Sequence, residues 1–301
     1  MEKMEQFDVI IIGGSYAGLS AAMALGRSLR QVLIIDSGDP CNKSTPRSHN
    51  LLTQDGKTPL EISTLARQQL GHYPSVRSHQ GFVARAHGAS GAFRAETATG
   101  EVFGAKKLIL ATGVRDLLPD IEGFAACWGD TVIHCPYCHG YEFRGGRTGI
   151  MAPVEKALHL APLVHNLSKD LTLFMDPGAL TEEQVQKFKG HKIGIETRKI
   201  GALEHNRGKL KRVLFTDGGS RELDALYAGL PFGQHSALPK ALGCGLGESG
   251  HIQVDMRQRT TVAGIYACGD NSSPMRSLAQ AIHTGNMAGA ALNGELALEE
   301  F

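Results

Sequence analysis

No stretch of this 301-residue chain is strongly basic, and none is both long and apolar. Lysine and arginine (31) nearly balance aspartate and glutamate (30), for a net charge of +1, and aromatics make up only 6%. Without a basic run interleaved with aromatics there is no electrostatic footprint for nucleic acid or an anionic membrane surface. Met1-Glu2-Lys3 leads directly into a strand near Phe7, with no separate apolar leader and cleavage site. No apolar run approaches the length of a membrane span, so the expectation is a cytoplasmic protein that binds neither membrane nor nucleic acid. Cysteine is scarce as well: six in a chain this long do not make a disulfide scaffold. Cys41, Cys127, Cys244 and Cys268 stand singly, which does not offer the four ligands of a structural zinc site, so no metal is expected. Glycine is the abundant residue, at 37, and points to many tight turns and close backbone approaches. The length leaves room for about two domains with a good core.

The remaining two cysteines are paired, in Cys135-Pro136-Tyr137-Cys138-His139-Gly140. Cysteines two residues apart can close a small disulfide ring, and at a helix start at least one thiol pKa is lowered. Thiolate is the species that attacks disulfides and flavins, so the spacing suits transfer of an electron pair. His134 and His139 flank the pair, and either could carry the proton that moves with those electrons. The plainer alternatives are half of a zinc site or two buried thiols.

Near the N-terminus, the apolar run Phe7 to Ile12 reads as a buried parallel strand. It meets Gly13-Gly14-Ser15-Tyr16-Ala17-Gly18 and then a helical pattern from Leu19 to Leu29. Strand, glycine turn and helix together place a dinucleotide pyrophosphate at the helix N-terminus. Gly13 permits the tight turn, Gly18 permits close helix–strand packing, and Ser15 replaces the middle glycine of the fingerprint. A second strand, Gln31 to Ile35, ends at Asp36, about where an acid should meet an adenosine ribose. A tight junction without a ligand would show the same glycines alone.

Asp39 to Pro59 reads as a long loop, with His49 and Asn50 its most interesting side chains. A helix from about Pro59 to Leu70 and strand-like pieces at Val83, Phe93 to Thr97 and Glu101 to Phe103 follow. Lys106 to Leu110 is another buried strand, closing on Ala111-Thr112-Gly113, and Gly264 to Ala267 closes similarly on Cys268-Gly269-Asp270. Two such endings far apart in sequence fit one sheet visited twice. Asp270 would then meet the ribityl chain of a flavin, and the helix after Pro274 would aim its N-terminus at the flavin ring.

This ordered set resembles the low-molecular-weight thioredoxin reductase family over almost the whole chain. The resemblance implies an α/β fold of two Rossmann-like three-layer domains: a discontinuous FAD domain (1–116 and 235–301) and an inserted redox-disulfide domain (117–234), as a homodimer. It implies FAD contacts at Gly13, Gly14, Ser15, Ala17, Gly18, Asp36, Asn50, Thr112, Gly113, Gly269, Asp270, Arg276 and Ser277. Arg276-Ser277-Leu278 stands where the family has Arg-Gln-Ala. It further implies Cys135 as the outer thiol exchanging with substrate and Cys138 as the inner thiol facing the flavin.

Two departures shape the functional expectation. The insert's own glycine turn, after a strand near Thr148, reads Ala152-Pro153-Val154-Glu155-Lys156-Ala157. Val154 would fill the space of a pyrophosphate, Pro153 removes a donor and Glu155 adds like charge. After the strand Leu171 to Met175 stands Asp176-Pro177-Gly178, where a 2′-phosphate would need cations; Lys156 and Lys169 do not restore that geometry. The second departure is His139 in place of the family's Asp. Cys-x-x-Cys-His-Gly is similar to the dithiol oxidases of the gliotoxin and holomycin type, and imidazole is well matched to accept a thiol proton. A histidine that only packs is the alternative. His235, where the chain returns to the first domain, is a second candidate histidine.

The expectation is an FAD enzyme in which Cys135, Cys138 and His139 oxidise a dithiol, small or on a thioredoxin-like protein, and electrons pass to oxygen or another acceptor that is not NADPH. One rival runs the other way, reducing a thioredoxin-like protein with NADPH or a one-electron donor such as ferredoxin. Another is a flavin-binding redox sensor.

Overall fold

The computed structural model describes residues 4–301; the Met1-Glu2-Lys3 lead-in lies outside the described residues. The described residues form two compact units: residues 4–41, 60–115 and 233–301, and residues 42–59 with 116–232. Residues 42–59, read from sequence as part of the first domain, therefore group with the insert.

The first unit contains β1 (Glu5–Ile12), α1 (Tyr16–Arg27), β2 (Val32–Asp36), α2 (Pro59–Leu70), β3 (Val76–Gln80), β4 (Val83–His87), β5 (Phe93–Thr97) and β6 (Val102–Leu110). The two pieces read as separate strands around Phe103 and Leu108 are one strand, β6. Its first half pairs antiparallel with β5 while β1 runs parallel along its whole length, carrying it straight through Gly104. The sheet order is β3-β2-β1-β6-β5-β4. Alternation along β1 splits the core: Ile10 and Ile12 face one cluster, Val9 and Ile11 the other.

The chain then passes through β7 (Val114–Asp116) into the second unit: α3 (Phe124–Cys127), β8 (Val132–Ile133), α4 (Pro136–His139), β9 (Thr148–Met151), α5 (Val154–Leu167), β10 (Leu171–Phe174), α6 (Glu182–Gly190) and β11 (Gly194–Glu196). An antiparallel meander, β12 (Ile200–Asn206), β13 (Lys209–Phe215) and β14 (Ser220–Glu222), precedes β15 (Ala225–Ala228). Helix α6 begins at Glu182, because Thr181 and Gln184 close a reciprocal capping box there. The parallel sheet has the order β11-β10-β9-β15-β8. One face packs on α5 and α6 through Leu160, Val164 and Phe188; the other packs on the meander through Leu203, Val213 and Phe215.

Return to the first unit is through β16 (Phe232–Gln234), which pairs with β7. Then come α7 (Leu238–Ala241), β17 (Ile265–Ala267), which pairs parallel with the second half of β6, and α8 (Leu278–Glu300). The two strands that end on small residues and glycine thus lie side by side. Among the described residues no helix is long and apolar enough to cross a membrane.

Candidate functional site

In a parallel α/β sheet, ligands bind beyond the strand C-termini where the strand order reverses. Each unit has one such point.

In the first unit it lies between β1 and β6. Gly13 has φ +107°, and a Cβ there would overlap the carbonyl oxygen of Ala111; a Cβ at Gly18 would overlap the carbonyl of Gly13. The turn is therefore closed to any side chain at either position. Ser15 is the N-cap of α1, and its hydroxyl makes no cap hydrogen bond. The amide of Gly14 donates to Asp36 Oδ1 at 3.0 Å. Arg67, which no sequence motif marks, donates to Asp36 Oδ2 at 3.3 Å and to the carbonyl of Gly14 at 3.2 Å. At the neighbouring strand end, Thr112 Oγ1 accepts from Asn271 Nδ2 at 3.2 Å, and that amide also donates to the carbonyl of Leu110. Asn271 is fully buried, yet its Oδ1 finds no hydrogen-bond partner among the described residues. A buried acceptor left open beside a glycine cradle fits a bound polar group.

Asp270 Oδ2 lies 3.5 Å from Arg276 Nε and 3.7 Å from Cys41 Sγ. Gly113 and Gly269 both adopt left-handed backbone at the two strand ends. Ala17 is buried, and a Cβ at Gly269 would meet it at 2.9 Å, so its place in the site is to be small. Ser277 caps α8, its Oγ accepting from Gln280 N at 3.1 Å, which commits that hydroxyl to the helix. Asn50 lies in the 42–59 segment of the second unit, its own amide donating to Asp55 Oδ1 at 2.7 Å. His235, in the first unit, has Nε2 3.9 Å from Asp39 Oδ2.

The second unit holds the cysteine pair. Cys135 is the N-cap of α4, Pro136 opens its single turn, and the amides of His139 and Gly140 close it onto the carbonyls of Cys135 and Pro136. Both cysteines are thiols, with Cys138 Sγ donating to Cys135 Sγ at 2.9 Å. One turn sums little dipole, so the macrodipole expected from sequence contributes little to any thiolate here. His139 stands four residues after Cys135, on the same face of the turn. Burial pushes its imidazole below the ordinary range, with His49 adding to this and Glu142, the Arg47 backbone and Asp130 opposing it. Neither of its buried ring nitrogens makes a hydrogen bond of normal geometry. His134 packs against Trp128, ring centroids 6.2 Å apart.

Tyr227, on β15, is fully buried with its hydroxyl unpartnered among the described residues. Burial, then negative charge at Cys135 and Glu142, raises its pKa well above the usual phenol range. The other cysteines differ in kind. Burial pushes Cys127 and Cys244 up and Cys268 up to about 12, keeping them protonated and inert. Among the described residues no cluster of three or more potential ligands could hold a metal.

The second unit's switch point lies between β9 and β15. A cleft of about 430 Å³ opens there, lined chiefly by apolar side chains, among them Met151, Val154, Phe174 and Leu230. Val154 is the first residue of α5 and Pro153 its N-cap, so a proline and a branched side chain occupy the helix start. Among the described residues Asp176 is the only charged one lining it.

A model of the pyridine nucleotide-disulphide oxidoreductases matches residues 7–288. Thioredoxin reductase tcpT of Claviceps purpurea is 35% identical, covering 96% of this chain and 94% of its own length. Thioredoxin reductase aclD of Aspergillus oryzae is 31% identical, with 98% of both covered. A crystal structure of an oxidoreductase from Agrobacterium tumefaciens is 38% identical, with a TM-score of 0.91, covering 97% of this chain and 99% of that one. The chain belongs to the pyridine nucleotide-disulphide oxidoreductase family, as a thioredoxin reductase-like enzyme whose cofactor is FAD. The cradle at Gly13, Ser15, Asp36, Thr112 and Asp270 fits that group: it admits no side chain, and Asn271 keeps an acceptor open beside it.

Proposed function

We propose that the enzyme oxidises a dithiol to a disulfide and that its electrons leave to oxygen or another acceptor, not to or from NADPH. The observation that carries this reading is the cleft at Val154. It is an apolar pocket with one acid, where a phosphorylated nucleotide would need a glycine turn and cations. Cys135, Cys138 and His139 are the catalytic residues of the proposal, and the FAD contacts are those carried by the first unit's cradle. The substrate dithiol attacks the Cys135–Cys138 disulfide at Cys135. A mixed disulfide forms, the second substrate thiol displaces Cys135, and the substrate leaves oxidised with Cys135 and Cys138 reduced. His139, held neutral by burial, accepts a proton from the pair. Bound FAD supplies the acceptor for the two electrons and the route onward. A cytoplasmic homodimer belongs to the same proposal.

A second reading rests on the relatives' names: tcpT and aclD are called thioredoxin reductases, so reduction of a thioredoxin-like protein is the competing direction. Aerobic incubation with a small dithiol, without nucleotide, separates the two. Dithiol consumption far beyond one equivalent per enzyme, with matching oxygen uptake, supports the oxidase. Stoichiometric consumption that then stops returns the case to the reductase.

A further inference from the structure

The helical run that carries the cysteine pair does not stop at α4. Gly140, its C-cap, keeps right-handed helical backbone (φ −72°, ψ −28°), and the chain runs on into a 3-10 turn, Tyr141–Phe143. Residues three and four apart in such a run share a face, which puts Tyr141 on the side of both Tyr137 and Cys138. Tyr137 is 66% exposed and Tyr141 64%, so two aromatic rings stand in solvent beside the thiols. Past the turn the backbone is pinned. The amide of Arg144 donates to the carbonyl of Tyr141, that of Gly145 to Leu167 at the end of α5, and that of Gly146 to Phe143.

The side chain of Arg144 is held as well. Its guanidinium carbon lies 4.2 Å from the centroid of the Tyr141 ring, stacked over it, and Nη1 donates to the Tyr141 carbonyl at 2.9 Å. Among the described residues no carboxylate pairs with it, and Nε and Nη2, one edge of the guanidinium, donate to nothing. The nearby acid Glu142 is turned to His49, its Oε1 3.5 Å from Nε2. Arg147 shows the contrast: it is paired with Asp224, Nη2 to Oδ1 at 2.7 Å, and with Glu222. One arginine is spent on the fold. The other is exposed, stiffened and without an acid.

From this arrangement we infer that Arg144 is a specificity residue whose Nε–Nη2 edge receives a carboxylate of the substrate, so that the preferred dithiols carry an acid a short chain away from their sulfurs. A carboxylate is planar with two acceptors and matches that edge at both donors; a neutral amide offers one acceptor and no charge. From Cys138 to Arg144 the chain advances six residues. A helical run rises about 1.5–2 Å per residue, which keeps the two backbones within about 12 Å. The guanidinium leans back over Tyr141, so a chain of a few methylenes spans what is left. The carboxylate only binds. In the exchange itself two substrate S–H groups become one S–S bond as the Cys135–Cys138 bond opens to two thiols. The inference rests on the proposed dithiol oxidation at that pair.

The test uses the FAD-loaded enzyme and two dithiols with the same thiol groups: dihydrolipoate, which carries a carboxylate, and dihydrolipoamide, which carries a neutral amide. Anaerobic flavin bleaching at limiting dithiol gives a second-order rate constant for each. Wild type should favour dihydrolipoate about fivefold at low salt, the size of one favourable exposed ion pair. The preference should shrink toward unity in about 0.5 M salt. Arg144→Gln should react equally with both, losing rate with dihydrolipoate alone. Arg144→Lys keeps the charge without the two-donor edge and should retain part of the preference. Tyr141→Leu removes the platform and should lower the preference while sparing dihydrolipoamide. Unchanged flavin absorbance and melting temperature show that each variant is folded, and the wild-type comparison with its salt dependence needs no variant. Equal rates in wild type, or Arg144→Gln slowed alike with both dithiols, overturns the subsite and leaves the dithiol reading standing. If neither dithiol bleaches the flavin, that reading falls, and the subsite with it.

Discussion

The ammonium of Lys156 donates to the carbonyl oxygen of Leu230 at 2.9 Å. This bond spans the second unit's switch point, from the first turn of α5 to the chain just beyond β15. A lysine one turn into that helix is the cation best placed for a nucleotide phosphate, and here it is committed to the backbone. With Pro153 as cap and Val154 at the first helical position, the cleft beside them is lined chiefly by apolar side chains.

The roles of the two thiols are separable by trapping. In Cys138→Ser, the remaining Cys135 should react with an activated aromatic disulfide to give a stable mixed disulfide. In Cys135→Ser, the remaining Cys138 should react at least about tenfold more slowly, as the sulfur proposed to face the flavin. Mass spectrometry of the adducts checks this, and faster labelling of Cys138 would reverse the outer and inner assignments.

The FAD cradle should be sensitive at Asp36. Its carboxylate already organises Gly14 and Arg67, and in the loaded enzyme it would accept from the ribose hydroxyls. Asp36→Ala should weaken FAD by roughly tenfold or more, since a hydrogen bond to a charged group contributes about 1.5–3 kcal/mol. Titration of the deflavinated variant with FAD measures it. Undiminished affinity would remove Asp36 from the site.

Stability should carry the signature of His139. Its folded-state pKa is lowered by burial, so the unfolded chain binds the proton more readily. Stability from this group is therefore present above the ordinary histidine value of about 6.5 and is lost as pH falls from there toward the folded value. Urea melts of wild type and His139→Asn at a series of pH values should show a shallower acid loss in the variant. Parallel curves would contradict the burial argument.

Much of the first unit was legible because its signals are local. Gly13 and Gly18 sit in a strand–turn–helix, and steric closure by the carbonyl of Ala111 at the first and of Gly13 at the second accounts for them. The paired cysteines and the departure from a glycine turn at Val154 are equally plain, since both are read from residue type alone. Signals that depend on distant chain were not. Arg67 reaches Asp36 from 31 residues away, Asn271 reaches Leu110 across 161, and Tyr227 reads as one more apolar residue in Ala-Leu-Tyr-Ala. The 42–59 segment reads only as part of a long loop in the first domain, because its composition gives no hint of where it docks. Phe103 and Leu108 looked like members of separate strands because Gly104 interrupts the pattern, whereas pairing on both sides overrides it.

The central claim is that dithiols, and not NADPH, reduce this flavin. Losing several charge-assisted hydrogen bonds, each worth about 1.5–3 kcal/mol, should weaken NADPH by at least two to three decades, about 1.4 kcal/mol being tenfold. Stopped-flow mixing under argon, with flavin absorbance followed after addition of either NADPH or a small dithiol, measures this directly. The account predicts ready bleaching by the dithiol and slow or no bleaching by NADPH at ordinary concentrations. Fast, saturable bleaching by micromolar NADPH would contradict it and restore an ordinary reductase.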